Sequence, residues 1–213
     1  MNPVPGHPAS GHTVLCIDTA SPAFALALAV DGRAVRSLQR DSNQDHSRLL
    51  LGAIDETTGG DRVLDGIVVV RGPGSYAGLR VGIATAEGLA LARRVPLAGV
   101  GTLEAVAHAA GQGAGTAIHP AGRAEWAVQS FADGRLTGTH TAVPEPALTG
   151  ILFGEGAGAF GGTDVSPEAR CRAALEIGLS LLADGSHGGV DAIYLREPHI
   201  TRPTRPKSRT RRG

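Results

Sequence analysis

The N-terminal part of the chain alternates between short apolar runs and turn-forming residues, a pattern that predicts β-strands with tight connections. Apolar runs at residues 14–17, 24–30 and 33–38 predict three strands. Asp31-Gly32 separates the second run from the third, and an Asp-Gly pair favours a two-residue hairpin turn. We therefore expect the second and third strands to be antiparallel neighbours.

Beyond these strands the spacing of apolar positions changes to the helical period. A helix is predicted to begin after Asp45, which is a suitable N-cap. Its apolar face consists of Leu49, Leu50, Ala53 and Ile54. A strand at residues 65–70, a helix at 76–94 and a strand at 97–100 follow. Three antiparallel strands, then helix, strand, helix and strand, is the element order of a ribonuclease-H-like lobe.

The second half of the chain repeats part of this plan. Residues 125–131 alternate as a strand, and Asp133-Gly134 predicts a hairpin turn that returns along 135–140. The remaining predicted elements are a strand at 148–153, a helix at about 167–183 and a short strand at 193–195. Because two Asp-Gly hairpins stand in matching places, we predict an α/β fold of two ribonuclease-H-like lobes, the second degenerate.

We divide the chain into a flexible N-terminus (1–12), a first lobe (13–105), a second lobe (106–198) and a basic, disordered tail (199–213). The basic residues of the tail are Arg202, Arg205, Lys207, Arg209, Arg211 and Arg212. Removing these six from the twenty basic residues leaves fourteen against twenty acidic residues, so the body is acidic. Such a tail is either simply solvated or attracts polyanions such as RNA without reading their sequence.

The composition is that of a soluble globular protein, with 213 residues, 42% hydrophobic and 19% charged, and a formal net charge of zero. Cys16 and Cys171 lack metal-ligand or redox spacing, so we interpret them as buried thiols of a reducing compartment. Residues 1–12 contain no Lys or Arg, and no run approaches the ~18–20 apolar residues that span a bilayer. We expect a cytoplasmic protein with no membrane partner.

Residues 71–80 read RGPGSYAGLR and join a predicted strand to a predicted helix. A glycine-rich turn in this position can leave backbone N–H groups free to hold an anion or to seat a partner's loop. Asp18-Thr19 ends the first strand at the same sheet edge. The predicted nucleotide or phosphate site consists of Asp18, Thr19, Gly72, Gly74 and Ser75, with Ser75 also the expected N-cap.

Other interpretations of these residues stay open. The Asp18 carboxylate suits Mg²⁺, but it can equally accept backbone N–H bonds in the turn at Ser21-Pro22. The glycine turn lacks the Lys of a Walker loop, because Leu79-Arg80 follows Gly78. It also lacks the acidic residue of a Rossmann fingerprint, because the next strand ends at Val100-Gly101-Thr102.

Small residues recur every four positions along the second helix and form a ridge that another helix could approach closely. The ridge consists of Gly78, Gly82, Ala86 and Ala90. It either meets a partner or packs against the chain's own sheet. His46, at the start of the first helix, has no ligand at metal spacing, so we interpret it as a polar helix-start or interface residue.

Several segments together resemble the TsaB family of tRNA threonylcarbamoyladenosine biosynthesis proteins. They are residues 15–20 (LCIDTA), 46–50 (HSRLL), 71–80, 82–90 (GIATAEGLA) and 99–105 (GVGTLEA). The resemblance is continuous over roughly residues 14–107, and beyond them it rests on 153–156 (FGEG) and 194–196 (YLR).

The resemblance implies a two-lobed fold of the actin, sugar-kinase and heat-shock-chaperone ATPase superfamily. It implies a role in placing threonylcarbamoyl on adenosine 37 of tRNAs that read codons beginning with A. In that system the transferase is the paralogue TsaD, TsaB is its non-catalytic partner, and the ATPase TsaE joins them. This chain would then need no cofactor of its own and would meet tRNA only through the complex. ATP or ADP could act there, and the isolated chain could form a homodimer.

The family also guides the interpretation of single residues. In TsaD the helix after the fifth strand carries two metal-binding histidines four residues apart, and Thr102 and Val106 stand at those positions here. Val106 has no donor atom, so the resemblance predicts neither a metal site nor metal-assisted transfer by this chain. TsaB-like sequences usually carry Asp-Ala-Arg-Arg before a Glu in the second lobe, whereas residues 119–125 here read HPAGRAE.

We expect the helices that begin near His46 and Tyr76 to form a four-helix contact with the equivalent helices of TsaD. The predicted interface residues are His46, Leu50, Ile54, Gly78, Gly82, Ala86 and Ala90. The rival hypotheses are a small-molecule kinase or ATPase that uses Asp18 and the glycine turn, and an RNA-binding module that uses the tail. A metalloprotease is disfavoured by the missing ligand pair.

Overall fold

The computed structural model describes residues 12–42, 45–60, 63–111, 113–122, 125–186 and 190–195. The predicted N-terminal segment, apart from residue 12, and the whole basic tail lie outside these ranges. So do residues 123 and 124 of the altered second-lobe run.

The first sheet has five strands. They are β1 (Thr13–Asp18), β2 (Ala23–Val30), β3 (Arg33–Asp41), β4 (Gly66–Val70) and β5 (Leu97–Val100). Their order is β3-β2-β1-β4-β5, with β1, β2 and β3 antiparallel and β4 and β5 parallel to β1. Asp31 and Gly32 both have positive φ, as the predicted hairpin requires. The central strands β1 and β4 are buried along their whole length.

Two helices connect the strands of this sheet, α1 (His46–Thr58) and α2 (Tyr76–Arg93). The Ser75 hydroxyl accepts a hydrogen bond from the Gly78 N–H at 3.3 Å, which confirms the predicted N-cap of α2. At the other end Arg94 adopts a left-handed conformation that ends the helix. Asp45 precedes α1 but makes no side-chain cap, because its carboxylate binds Arg48.

The second sheet repeats the first in simplified form. Its strands are β6 (Ala114–Gly122), β7 (Glu125–Ala132), β8 (Arg135–Leu136), β9 (Thr141–Pro144), β10 (Leu152–Gly154) and β11 (Thr163–Asp164). Read from its other edge, the order β8-β7-β6-β10-β11 corresponds strand by strand to β3-β2-β1-β4-β5 of the first sheet. β9 also pairs with β7. Short 3₁₀ turns at Glu145–Ala147 and Ala157–Phe160 stand where the first lobe has α1 and α2. The duplicated, degenerate plan is confirmed.

Three predicted elements of the second half need correction. Residues 193–195 form no strand, and the Ile193 N–H instead makes a 2.7 Å hydrogen bond to the Arg71 carbonyl. The strand expected at 135–140 ends at Leu136, and the one expected at 148–153 is the shorter β10. β6 was not predicted, because its sequence AGTAIHPAG has small residues and a proline instead of a β-branched alternation.

The last helix of each half packs on the opposite sheet. α3 (Thr102–Ala110) follows β5 but shares a core with β6 and β7. α4 (Pro167–Ala183) follows β11 but packs on β1, β2 and β4, and the two helices also contact each other. These two cores are therefore built from both halves of the sequence. As a result, side chains of α4 lie beside the end of β1.

Candidate functional site

The glycine-rich turn packs directly on the end of β1. The Ser75 N–H donates to the Ala20 carbonyl at 2.7 Å. A Cβ on Gly74 would lie 2.6 Å from the Ala20 oxygen, and one on Gly78 would lie 2.2 Å from the Thr19 oxygen. These glycines therefore permit a backbone contact within the chain, and the N–H groups of Ser75 and Gly78 are already bonded.

Gly72 makes a different close contact, with the segment that follows α4. Its φ is 109°, and a Cβ there would lie 2.5 Å from the carbonyl oxygen of Ile193. The structure thus packs Gly74 and Ser75 against Ala20 at the end of β1, whereas Gly72 packs against Ile193. Phosphate or nucleotide binding at these residues stays a prediction.

The small ridge of α2 faces inward. Gly78, Gly82, Ala86 and Ala90 are all buried, and a Cβ on Gly82 would lie 2.0 Å from Thr19 Oγ1. The ridge therefore lets α2 approach its own sheet, so the prediction that these residues contact a partner is wrong as to the face of the helix. The alternative, packing on the chain's own sheet, is confirmed.

The predicted interface residues of α1 are buried in the same way. Leu50 and Ile54 belong to the first core. The His46 Nε2–H donates to the Ser21 carbonyl at 2.9 Å, and Nδ1 lies 3.1 Å from the Ser42 hydroxyl. His46 therefore holds the connection between β1 and β2 as a polar helix-start residue. Of the three side chains, only Ile54 also lines a solvent-facing groove.

Asp18 is fully buried, and both of its carboxylate oxygens are bonded within the chain. Oδ1 accepts the Ala20 N–H at 3.0 Å, as the turn-capping interpretation predicts. Oδ2 accepts Nε of Arg170 at 2.7 Å, and both side chains are 0% exposed. This set does not fit the magnesium or nucleotide that the superfamily resemblance implies, because a guanidinium cation already neutralises the carboxylate that would bind the ion.

Arg170 makes further hydrogen bonds to groups from both lobes. Nη1 donates to Glu155 Oε2 at 2.9 Å and to His119 Nδ1 at 3.2 Å, and Nη2 donates to the Ser21 hydroxyl at 2.8 Å. Ser21 also donates to Glu155. The Asp18 and Glu155 carboxylates raise the pKa of Arg170 above its usual value despite burial. We call Asp18, Ser21, His119, Glu155 and Arg170 the junction cluster.

His119 belongs to the altered second-lobe run and lies in β6. Burial, and secondly the charge of Arg170, lower its pKa from 6.5 to about 3, against the opposing effect of a hydrogen bond to Ala20. The neutral ring donates from Nε2 to the Ala20 carbonyl at 3.3 Å and accepts from Arg170 at Nδ1. The altered residue thus acts as a neutral hydrogen-bonding group.

Sequence reasoning missed the role of Arg170. The available signal was its place on α4, where an arginine stands among residues of the buried face. Those residues are Pro167, Cys171, Ala173, Ala174, Leu175 and Gly178. A charge on a buried helix face calls for a partner, but its position relative to Asp18 depends on the crossing of α3 and α4.

The outward face of α2 carries a second row of small and apolar residues, which we call the outer stripe. It consists of Ala77, Val81, Ala84, Gly88 and Leu91. The spacing of four, three, four and three residues keeps them on one side of the helix. Val81 is half-buried, the others are exposed, Gly88 has no atom within 4 Å of a built Cβ, and Leu91 is 82% exposed.

A groove of about 390 Å³ lies between α1 and α2. Its walls include Leu51 and Gly52 of α1 and Leu89 and Arg93 of α2, with Leu64 from the connection to β4. Leu51 is 60% exposed. The helix pair thus presents a groove of mixed polar and apolar lining to solvent, with Ile54, Asp55 and Thr58 of α1 also on its walls, although its inward faces already fill the core.

Within the described ranges, no helix is long and apolar enough to cross a membrane. The described residues also contain no group of three or more His, Cys, Asp or Glu side chains placed to hold a metal ion. At the positions discussed for TsaD histidines, Thr102 starts α3 and Val106 lies in the second core.

Comparison with known proteins gives consistent results. A family model described as "TsaD: tRNA N6-adenosine threonylcarbamoyltransferase" matches residues 39–132. The tRNA threonylcarbamoyladenosine biosynthesis protein TsaB of Escherichia coli (strain K12) is 38% identical over 101 residues, covering 46% of this chain and 43% of that protein. The tRNA N6-adenosine threonylcarbamoyltransferase of Nitratidesulfovibrio vulgaris (strain DP4) is 39% identical over 119 residues, 46% of this chain and 33% of that protein.

The chain therefore spans less than half the length of these curated relatives. A solved structure matches more of it, the crystal structure of an uncharacterized protein with similarity to peptidase YEAZ from Pseudomonas aeruginosa. That structure has a TM-score of 0.73 and 25% identity, and the match covers 87% of this chain and 100% of the other. The predicted two-lobed fold class is confirmed.

Proposed function

We propose that this chain, whose sequence and fold support identification as a TsaB/YeaZ protein, is a non-catalytic partner of TsaD in tRNA threonylcarbamoyladenosine biosynthesis. Similarity to both TsaB and the TsaD transferase supports a place in that pathway. In this proposal the chain binds and activates TsaD, and TsaE joins the same assembly.

The observation that carries the partner role is the outer stripe. Small residues in a four-three repeat allow two helices to approach closely, and Leu91 adds apolar area that is in contact with solvent in the isolated chain. Because the family model for TsaD matches a segment that includes both α1 and α2, the paralogue has equivalent helices to offer. Two related helix pairs can then join about a pseudo-twofold axis.

The non-catalytic role is supported by α3. The resemblance sets Thr102 and Val106 at the positions of the metal-binding histidines in TsaD, and Val106 is buried among apolar side chains. Its side chain has no donor atom for a metal ion. We therefore assign the transfer step to TsaD, any ATP or ADP requirement to the complex, and contact with tRNA to the same assembly, in the cytoplasm.

The binding experiment places a large cation on the outer stripe. Leu91→Arg suits the last turn of α2, where positive charge is favourable, and Ala84→Arg inserts bulk at the middle of the stripe. Ile151→Arg is the matched control, because Ile151 is a large apolar residue with 66% exposure that directly precedes β10 in the second lobe. Affinity for TsaD from the same organism is measured by isothermal titration calorimetry.

Burying a leucine side chain is worth about 1.5–3 kcal/mol, so losing that burial and desolvating a charge weakens binding by at least about tenfold. We expect this loss for both stripe variants and unchanged affinity for Ile151→Arg. Wild-type affinity in Leu91→Arg and Ala84→Arg, with the fold intact by circular dichroism, would show that the partner binds elsewhere.

A further inference from the structure

We propose that Arg170 serves as a built-in cation between Asp18 and Glu155, so that the two lobes are joined at the junction cluster without a bound divalent ion or nucleotide. This inference does not depend on a partnership with TsaD. Asp18 stands where the superfamily resemblance implies a carboxylate that binds an ion. The groups around Asp18 do not fit that ion, and Arg170 takes its place.

The five residues of the junction cluster come from both lobes. Asp18 ends β1, and Ser21 lies in the connection to β2, so both come from the first lobe. His119 lies in β6 and Glu155 follows β10 in the second lobe. Arg170 reaches both groups from α4, which packs on the first sheet although it follows β11.

Every guanidinium nitrogen of Arg170 makes a hydrogen bond. Nε binds Asp18, Nη1 binds Glu155 and His119, and Nη2 binds Ser21. A guanidinium group offers five N–H donors in a fixed plane and stays protonated, so it supplies a permanent charge of defined geometry. An entering metal ion would have to displace it from Asp18.

The junction cluster combines fully buried charges with one partly exposed charge. Asp18 and Arg170 have no exposed surface, and a buried carboxylate is costly unless it is paired. Glu155 is 27% exposed, so water partly solvates its carboxylate. His119 adds no charge, because burial and Arg170 keep its pKa near 3, and it contributes a nitrogen acceptor instead. The cluster therefore depends on Arg170 for its only positive charge.

The test removes this cation and then supplies one from solution. Arg170→Ala is compared with Arg172→Ala, which removes an exposed arginine from the same helix. Breaking a buried pair on one side lowers the melting temperature of a protein of this size by about 6–20 °C. We expect such a loss for Arg170→Ala, little change for Arg172→Ala, and partial recovery of Arg170→Ala in about 20 mM guanidinium chloride but not in equal NaCl or urea.

Two further measurements keep the test decisive if Arg170→Ala does not fold. The double variant Asp18→Asn with Arg170→Met removes both charges of the buried pair, and we expect it to fold and to melt above Arg170→Ala. The wild-type chain and Asp18→Asn are also titrated with Mn²⁺, and binding is followed by electron paramagnetic resonance. We expect the two proteins to give the same titration curve, because Asp18 binds no Mn²⁺.

The proposal is overturned by any of four results. Equal stability of Arg170→Ala and Arg172→Ala would show that the cation is not needed. Charge would not be what Arg170 supplies if guanidinium failed to raise the melting temperature of a folded Arg170→Ala. The same conclusion would follow if the double variant melted no higher than Arg170→Ala. Mn²⁺ binding to the wild type at Asp18 would show that the site accepts an ion beside Arg170.

Discussion

Gly82→Ala tests the packing of α2 on β1, because it adds one methyl group at the tightest contact of the helix. The new Cβ would lie 2.0 Å from Oγ1, 3.2 Å from Cβ and 3.3 Å from Cγ2 of Thr19. Rotation of Thr19 relieves the contact only in part, since χ1 of a β-branched side chain is restricted and Cβ itself stays within 3.2 Å. Gly88→Ala is the matched control, because nothing lies within 4 Å of its Cβ on the same helix.

Two effects of opposite sign decide the magnitude. Replacing glycine by alanine inside a helix stabilises it by about 0.8–1 kcal/mol, and this gain is common to both variants. Overpacking a close contact costs about 1–3 kcal/mol and applies to Gly82 alone. We therefore expect Gly88→Ala to be more stable than wild type, and Gly82→Ala to be less stable than Gly88→Ala by about 1–3 kcal/mol.

Urea unfolding followed by circular dichroism measures this difference. Thr19→Ala combined with Gly82→Ala should recover part of it, because Thr19 Oγ1 has no hydrogen-bond partner in the described part of the chain and its removal relieves the shortest contact. Equal stability of Gly82→Ala and Gly88→Ala would refute the inward orientation of the ridge. A Gly82→Ala protein that is fully stable but has lost TsaD binding would restore the original interpretation of the ridge as a partner surface.

Other predictions concern titration, nucleotide and RNA. Because the pKa of His119 is about 3 in the folded chain and 6.5 when unfolded, its contribution to stability is complete above about pH 6.5 and is lost as the pH falls toward 3. His119→Gln should flatten the decline in urea stability between pH 6.5 and 4; an unchanged slope would contradict the assignment. The isolated chain should hydrolyse no MgATP above an Asp18→Asn background, and a difference in steady-state phosphate release would favour the kinase hypothesis. Deleting residues 201–213 should weaken any salt-sensitive tRNA binding seen by fluorescence anisotropy, and equal binding would exclude the tail.

Local signals in the sequence predicted much of the first lobe and one hairpin of the second lobe. Asp31-Gly32 and Asp133-Gly134 fixed two hairpins, because both residues of each pair adopt positive φ. The cap at Ser75 predicted the start of α2 correctly. The order of elements around these signals was then sufficient to predict the ribonuclease-H-like plan.

Features that depend on distant contacts were harder to predict. α2 has small residues on two sides, Gly82 and Ala86 inward and Ala84 and Gly88 outward, so its composition does not tell which side meets the sheet. Arg170 and Asp18 are 152 positions apart, and only the crossing of the helices onto opposite sheets brings them together. Their contact is a property of the tertiary fold.

The proposed role, support of TsaD by a chain that does not itself catalyse transfer, has a direct test. Threonylcarbamoyladenosine in tRNA is measured by mass spectrometry after reaction with TsaD and TsaE from the same organism. We expect formation of the product to require both TsaD and this chain. When this chain is present at limiting concentration, Leu91→Arg should lower the amount of product and Ile151→Arg should not. Equal product without the chain, or product from the chain in the absence of TsaD, would contradict the proposed role.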